Sequence, residues 1–179
     1  MRLAKTALGV TVLGSLLISG ASAFGATAPA GGTIKVWATE NNSLTGGTAV
    51  ITGAIGDYGT FVDANSAGKI DKKNGLYIKI FSKKGTVLIN STQFNAVFNN
   101  AQPTDFNAVT CSASIIASAP MPIVSGTKAY AGITGSVTVT GTFAFIVPRT
   151  SSGKCNTSSN AKAIAQYSSI TGSGTVSFP

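Results

Sequence analysis

A two-residue alternation near the C-terminus constrains the fold of this chain more than any other feature. Between residues 136 and 147 one face of the sequence is apolar, and it carries Val137, Val139, Phe143, Phe145 and Val147, with Gly141 relieving crowding midway. The opposite face carries Ser136, Thr138, Thr140 and Thr142. Because successive side chains of a β-strand point to opposite faces, this spacing predicts a long strand with one buried and one solvated face.

The same alternation recurs in shorter runs along most of the chain. In the run TIKVWAT, Ile34, Val36 and Ala38 share one face, and similar runs follow, separated by glycine, asparagine and serine. Roughly eight or nine such strands with regular turns are typical of an all-β barrel or sandwich. We favour a closed antiparallel barrel, because closure leaves no strand edge unpaired.

One segment has helical rather than strand spacing. In STQFNAVFNN, Phe94, Val97 and Phe98 lie three and four residues apart, as on one face of a helix. Ser91 or Thr92 is in position to cap the first turn. We therefore predict one short helix here.

The N-terminus has the organisation of a secretory signal peptide. Arg2 and Lys5 precede an uncharged apolar stretch, and Ala21-Ser22-Ala23 fits the small-x-small cleavage rule. A membrane anchor is the alternative, but the stretch is shorter than the ~20 residues that a span needs. We expect cleavage after Ala23, a secreted or extracellular protein with no transmembrane span, a flexible lead-in over residues 24–32, and a single domain over residues 33–179.

The ionisable composition excludes several classes of function. The chain has no histidine, and its acids are Glu40, Asp57, Asp63, Asp71 and Asp105. Without histidine, a Ser-His-Asp triad is impossible and the commonest metal ligand is missing. We therefore expect no metal site, no cofactor and a non-enzymatic protein.

The two cysteines, Cys111 and Cys155, are predicted to form a disulfide. Both follow the signal peptide, and an oxidising exterior favours their pairing. Closing the loop between residues 111 and 155 contributes about 4 kcal/mol to stability in the chain-entropy model.

Six lysines surround one predicted hairpin and could serve either of two purposes. They are Lys69, Lys72, Lys73, Lys79, Lys83 and Lys84. Lysines on a hairpin commonly protect a strand edge and keep the surface soluble. The same cluster would suit contact with an anionic polymer of the cell envelope, whereas export argues against nucleic acid as the partner.

Four further residues are candidates for a ligand site. Trp37, Tyr58 and Tyr130 could line a pocket, although such residues more often pack in the core or at its rim. Asp57, in GAIGDYGT, could act beside them or could be an ordinary surface aspartate in a turn.

The segment GTKAYAGITGSVTVTGTFAF resembles the turn and long strand of the allene oxide cyclase/dirigent-like β-barrels, through Gly126, Thr127, Tyr130, Gly132 and Gly135. The chain is also similar, over nearly its whole mature length, to small secreted actinobacterial proteins of unassigned function. Their shared elements would be ITGAIGDYGT, the NGLY and KGT stretches, CNTSSNA and AQYSSITGSGTVSF. The barrel resemblance implies an eight-stranded antiparallel, up-and-down, calycin-like barrel that forms a homo-oligomer, specifically a trimer, around an apolar cavity.

Three functional hypotheses follow. The first is a secreted non-enzymatic barrel that binds a small apolar ligand or serves as a structural component of the cell exterior. The second, which the resemblance implies, is a dirigent-like or allene-oxide-cyclase-like isomerase that acts by confining its substrate. The third is binding to anionic envelope polymers through the lysine-rich hairpin.

Overall fold

The computed structural model describes residues 31–41, 45–158 and 160–179. The predicted signal peptide, residues 1–23, and the lead-in up to residue 30 lie outside the described residues, so both stay predictions. The described chain forms a closed antiparallel barrel with one α-helix and a Cys111–Cys155 disulfide. This architecture confirms the predicted fold class.

Each strand pairs antiparallel with the next one in the sequence. The strands are β1 (Gly32–Glu40), β2 (Gly46–Gly53), β3 (Asp57–Ala64), β4 (Tyr77–Ser82), β5 (Gly85–Asn90), β6 (Ser112–Gly126), β7 (Thr134–Ile146) and β8 (Ala165–Ser177). The last strand returns to the first, with Gly32 opposite Val176 and Thr39 opposite Ser169, and so closes the barrel. Every strand therefore has two neighbours, as the edge argument predicted.

The predicted alternation determines which side chains fill the barrel. Val137 and Val139 are buried in the core, whereas Phe143 and Phe145, farther along β7, are only partly buried. On the neighbouring strand β8, a Cβ atom at Gly172 would lie 2.9 Å from Cγ1 of both valines. Because Gly172 has no side chain, Val137 and Val139 can occupy this part of the barrel interior.

The predicted helix exists as α1 (Thr92–Asn100), but its expected cap does not. Ser91 precedes the helix without making a side-chain cap, and the Thr92 N–H instead donates to Oδ1 of Asn90 at 2.9 Å. Phe94 of α1 reaches the barrel at Gly141, where a Cβ atom would lie 2.6 Å from the Phe94 ring. Gly141 therefore relieves crowding as predicted, and the crowding partner is the helix.

Two ends of the barrel can be distinguished. The α1 end is where β1, β3 and β5 finish and the helix begins; the Asp57 end is where β3 begins. Strands β6, β7 and β8 extend past the α1 end, and the disulfide joins the loop before β6 to the loop after β7. In the part of the chain that is described, no helix has the length and apolar character needed to cross a bilayer.

The alternation in LYIKIFS and in AIAQYSSITGSGTVSF predicts inward faces that begin with Leu76 and Ile164, but both residues lie outside the strands and are exposed. Leu76 precedes β4 and is 47% exposed, and Ile164 precedes β8 and is 70% exposed. The predicted alternation was therefore extended one residue too far at the start of each strand.

Candidate functional site

A cavity of about 140 Å³ lies inside the barrel toward the α1 end. Its walls are mainly apolar and come from all eight strands: Val36, Ala38, Ala49, Phe61, Ile78, Ile80, Ile89, Met121, Val137, Val139 and Ile170. The helix covers it with Phe94 and Asn95. Apolar cavities of about 150 Å³ are known to bind benzene, so the space matches a molecule of about that size.

Two carboxylates line the same cavity. Glu40 is the last residue of β1 and continues the inward face of Val36 and Ala38. Asp63 lies two residues after the buried Phe61 on β3, so its side chain also faces inward. The cavity is thus apolar in depth and acidic at its mouth.

Both carboxyl groups are held in conditions that disfavour their charge. Burial, together with the negative charges of Glu40 and Asp71, raises the pKa of Asp63 from its usual 3.8 to about 6. Burial also raises the pKa of Glu40, although a hydrogen bond with the Ser168 side chain partly offsets that rise. The neighbouring charges that shift the pKa of Asp63 are thus negative, and they disfavour its ionised form in the same direction as burial does.

A buried hydroxyl completes the polar mouth. Ser91, the residue between β5 and α1, is 2% exposed and lines the cavity. Its Oγ accepts a long hydrogen bond of 3.5 Å from the side-chain amide of Asn95. A serine hydroxyl can donate once and accept twice, so Ser91 has capacity to bind a further polar group.

The opposite end of the barrel holds a buried Asp57–Tyr130 pair. The Tyr130 hydroxyl donates to Oδ2 of Asp57 at 2.5 Å, and both residues are buried. The backbone N–H groups of Tyr58 and Lys84 donate to the same carboxylate at 2.8 and 3.1 Å. The alternative that Asp57 is an ordinary surface aspartate does not hold, because its side chain is buried in this hydrogen-bond network.

The ionisation of this pair follows from the network. Burial alone would raise the pKa of Asp57, but hydrogen bonds from Tyr130, Ser82 and two backbone N–H groups outweigh it and hold the pKa well below its usual value. Burial and the Asp57 carboxylate raise the pKa of Tyr130 to about 12. The pair is thus a charged but fully hydrogen-bonded closure of the Asp57 end.

Of the four candidate ligand residues, Asp57 and Tyr130 are brought together, whereas the side chains of Trp37 and Tyr58 lie apart from them. Trp37 and Tyr58 lie on the outer surface, 45% and 53% exposed, while Asp57 and Tyr130 are buried at the Asp57 end. The lining of the 140 Å³ cavity includes none of these four residues. A ligand-binding role for them stays a prediction.

Five of the six lysines lie beyond the two ends of strand β4, and Lys79 lies within the strand. Lys69, Lys72 and Lys73 lie in the loop before β4, at the α1 end, whereas Lys83 and Lys84 form the turn after it. The six residues of β4 separate these groups by about 20 Å. Two ammonium groups are hydrogen-bonded to backbone oxygens, Lys79 to Gly68 at 2.9 Å and Lys84 to Gly56 at 2.8 Å. Contact with an anionic polymer stays a prediction.

A larger groove of about 1270 Å³ lies on the extended part of β6, β7 and β8. Phe143 and Phe145 line it, together with Phe106 and the loop through Ile164. Aromatic contacts continue from this groove to the roof of the cavity: the ring centres of Phe143 and Phe98 lie 6.3 Å apart, and those of Phe98 and Phe94 lie 5.9 Å apart. A row of packed aromatic side chains therefore runs from the groove to the inner cavity.

Glu40, Asp63 and Ser91 were missed as site residues by sequence reasoning. A signal for the two acids was present, because Glu40 continues the phase of Ala38 and Asp63 continues the phase of Phe61. For Ser91 the sequence predicted a helix cap, and no signal placed its hydroxyl in a cavity. Comparison of the chain with protein-family models, curated proteins and solved structures finds no significant match.

Proposed function

We propose that this protein binds a small, mainly apolar molecule inside its barrel. The observation that supports the proposal is the 140 Å³ cavity, which has apolar walls, a cover formed by Phe94 and a few polar groups at one end. Ligand sites typically combine predominantly apolar walls with a small number of polar groups that fix orientation. The Asp57–Tyr130 network closes the far end, so a ligand would enter at the α1 end.

Export remains part of the proposal. The Cys111–Cys155 disulfide is compatible with an extracellular location, and the signal peptide predicted over residues 1–23 would direct the protein there.

The chain offers a specific probe for ligand entry. It contains two methionines, Met1 and Met121, and the side chain of Met121 lines the cavity. We expect toluene to shift the NMR signal of a ¹³C-labelled Met121 methyl group in a saturable way. An unchanged Met121 signal at saturating toluene would contradict the proposal.

A cavity-filling variant provides the matched test. Ala49→Leu adds bulk to an inward position that lines the cavity, whereas Ala144→Leu adds the same bulk on the outward phase of β7. We expect Ala49→Leu to abolish toluene binding and Ala144→Leu to retain it. If Ala49→Leu fails to fold, Ala38→Val reduces the same space by less. Toluene binding that survives in a folded cavity-filled variant would place the site elsewhere.

A second candidate function is confinement of a larger apolar substrate, as in the dirigent-like hypothesis. The 1270 Å³ groove with Phe143 and Phe145 in its wall favours it, because the inner cavity fits only a molecule of about benzene size. Turnover of a polyunsaturated epoxide that is lost on Phe143→Ala but kept in Ala49→Leu would support this candidate. Equal turnover in both variants would reject it.

A further inference from the structure

We propose that the ligand carries a protonated amine, which Glu40 and Asp63 hold at the mouth of the cavity while an apolar body fills the space below. This inference rests on the proposed function, since it specifies the chemical class of molecule that the same cavity takes. It adds the identity of the polar group and the residues that recognise it.

The hydrogen-bond acceptors at the mouth of the cavity match the donors of an ammonium group. Two carboxylates from different strands and the hydroxyl of Ser91 line one end of a cavity whose remaining walls are mainly apolar. A primary ammonium group has three N–H donors and no acceptor. The mouth of the cavity therefore presents three acceptor groups to three donors.

Binding a neutral molecule in the cavity carries a free-energy cost at the two carboxylates. A ligand that enters the cavity displaces water from Glu40 and Asp63, and an ionised carboxylate without water or a partner is strongly destabilised. The environment already disfavours charge on both groups: each is partly buried, and the negative charges of Glu40 and Asp71 also act on Asp63. A cationic ligand compensates for the lost water, whereas a neutral one leaves two desolvated acids.

A bare metal ion would match this cavity less well than an organic amine. A metal would use the oxygen atoms at the mouth but would leave the space between Ile80, Ile89 and Val139 unfilled. Hydrocarbon buried in that space contributes about 25 cal/mol per Å² of apolar surface. An organic amine uses both parts of the cavity, so its apolar body and its charge each add to the affinity.

Three probes of nearly equal size separate the contribution of the positive charge to the affinity from that of the apolar body. Calorimetric titration at pH 7.5 would compare benzylamine, which is cationic, with benzyl alcohol and toluene, which are neutral. We expect benzylamine to bind the wild-type protein about tenfold more tightly or better, since charge-assisted hydrogen bonds contribute a factor of that order. Equal affinity for all three probes would overturn the amine inference while leaving the proposed function intact.

Variants test whether the two carboxylates cause the preference. We expect the double variant Glu40→Gln with Asp63→Asn to lose the preference for benzylamine and to keep binding toluene, because the apolar walls are unchanged. The control Asp105→Asn removes an acid outside the cavity lining and should keep the preference. If the double variant does not fold, Asp63→Asn alone should weaken benzylamine binding selectively.

The outcomes distinguish the two proposals. A preference that persists in the folded double variant would overturn the roles of Glu40 and Asp63. If neither toluene nor benzylamine binds the wild-type protein, both the amine inference and the proposed function are wrong.

Discussion

Replacing Asp63 with asparagine should stabilise the protein at neutral pH. The carboxyl group of Asp63 has a pKa of about 6 in the folded protein, against a usual value of 3.8. A folded-state pKa above the unfolded value means that the ionised group opposes folding, and that cost is present above about pH 6. It is lost as the pH falls from 6 toward 3.8, because both states are then protonated.

The magnitude follows from the size of the shift. If the whole rise in the pKa of Asp63, from 3.8 to about 6, acted on stability, it would lower the free energy of unfolding by about 3 kcal/mol. Asp63 lies at the mouth of the cavity and is only partly buried, so solvent screening reduces the effect. We therefore expect Asp63→Asn to raise the free energy of unfolding by about 1 kcal/mol at pH 7.5, and by much less at pH 3.5.

Urea unfolding followed by circular dichroism at both pH values measures the difference. The control is Asp105→Asn, which removes an acid that accepts hydrogen bonds from the backbone and side chain of Ser114 at 2.6 and 2.9 Å. We expect no gain in stability from that change at either pH. A loss of stability in Asp63→Asn at pH 7.5, or an equal gain at pH 3.5, would refute the reasoning.

Three further predictions concern the barrel closure, the helix and the disulfide. Tyr130→Phe removes a buried hydrogen bond to a charged acceptor and should lower the free energy of unfolding by about 1.5–3 kcal/mol. The control Tyr58→Phe changes an exposed side chain and should have little effect on that free energy. Equal effects of the two changes in urea unfolding would contradict the buried network. Gly141→Val places a side chain against Phe94 and should lower the free energy of unfolding by about 1–3 kcal/mol. A second change, Phe94→Ala, should restore part of the lost stability. Unchanged stability in Gly141→Val would show that the helix does not pack there. Reduction of the disulfide should lower the unfolding free energy by about 4 kcal/mol, and coincident urea curves with and without dithiothreitol would contradict this value.

The fold could be predicted because its main determinant is local. A period of two places every second side chain on one face, and this rule correctly identified the buried positions of β1 and the first half of β7. It failed at Leu76 and Ile164, since the alternation does not show where a strand begins. The position of α1 over the barrel also depends on the fit of Phe94 to Gly141, which lies 47 residues away in the sequence.

The site was harder to predict because it joins residues that are distant in the sequence. The phase of Glu40 and Asp63 indicates the inward face, but acids at strand ends usually reach solvent. Only the closed barrel shows that both line one enclosed space. Likewise, the hydrogen bond between Asp57 and Tyr130 spans 73 residues, and no spacing rule connects them.

A crystal structure of the protein under xenon pressure tests the ligand cavity most directly. Xenon occupies apolar cavities of this size without needing polar contacts. We predict a xenon peak inside the barrel, between Ile80, Val139 and the ring of Phe94. A barrel interior that is filled by side chains, with no xenon at that position, would contradict the account.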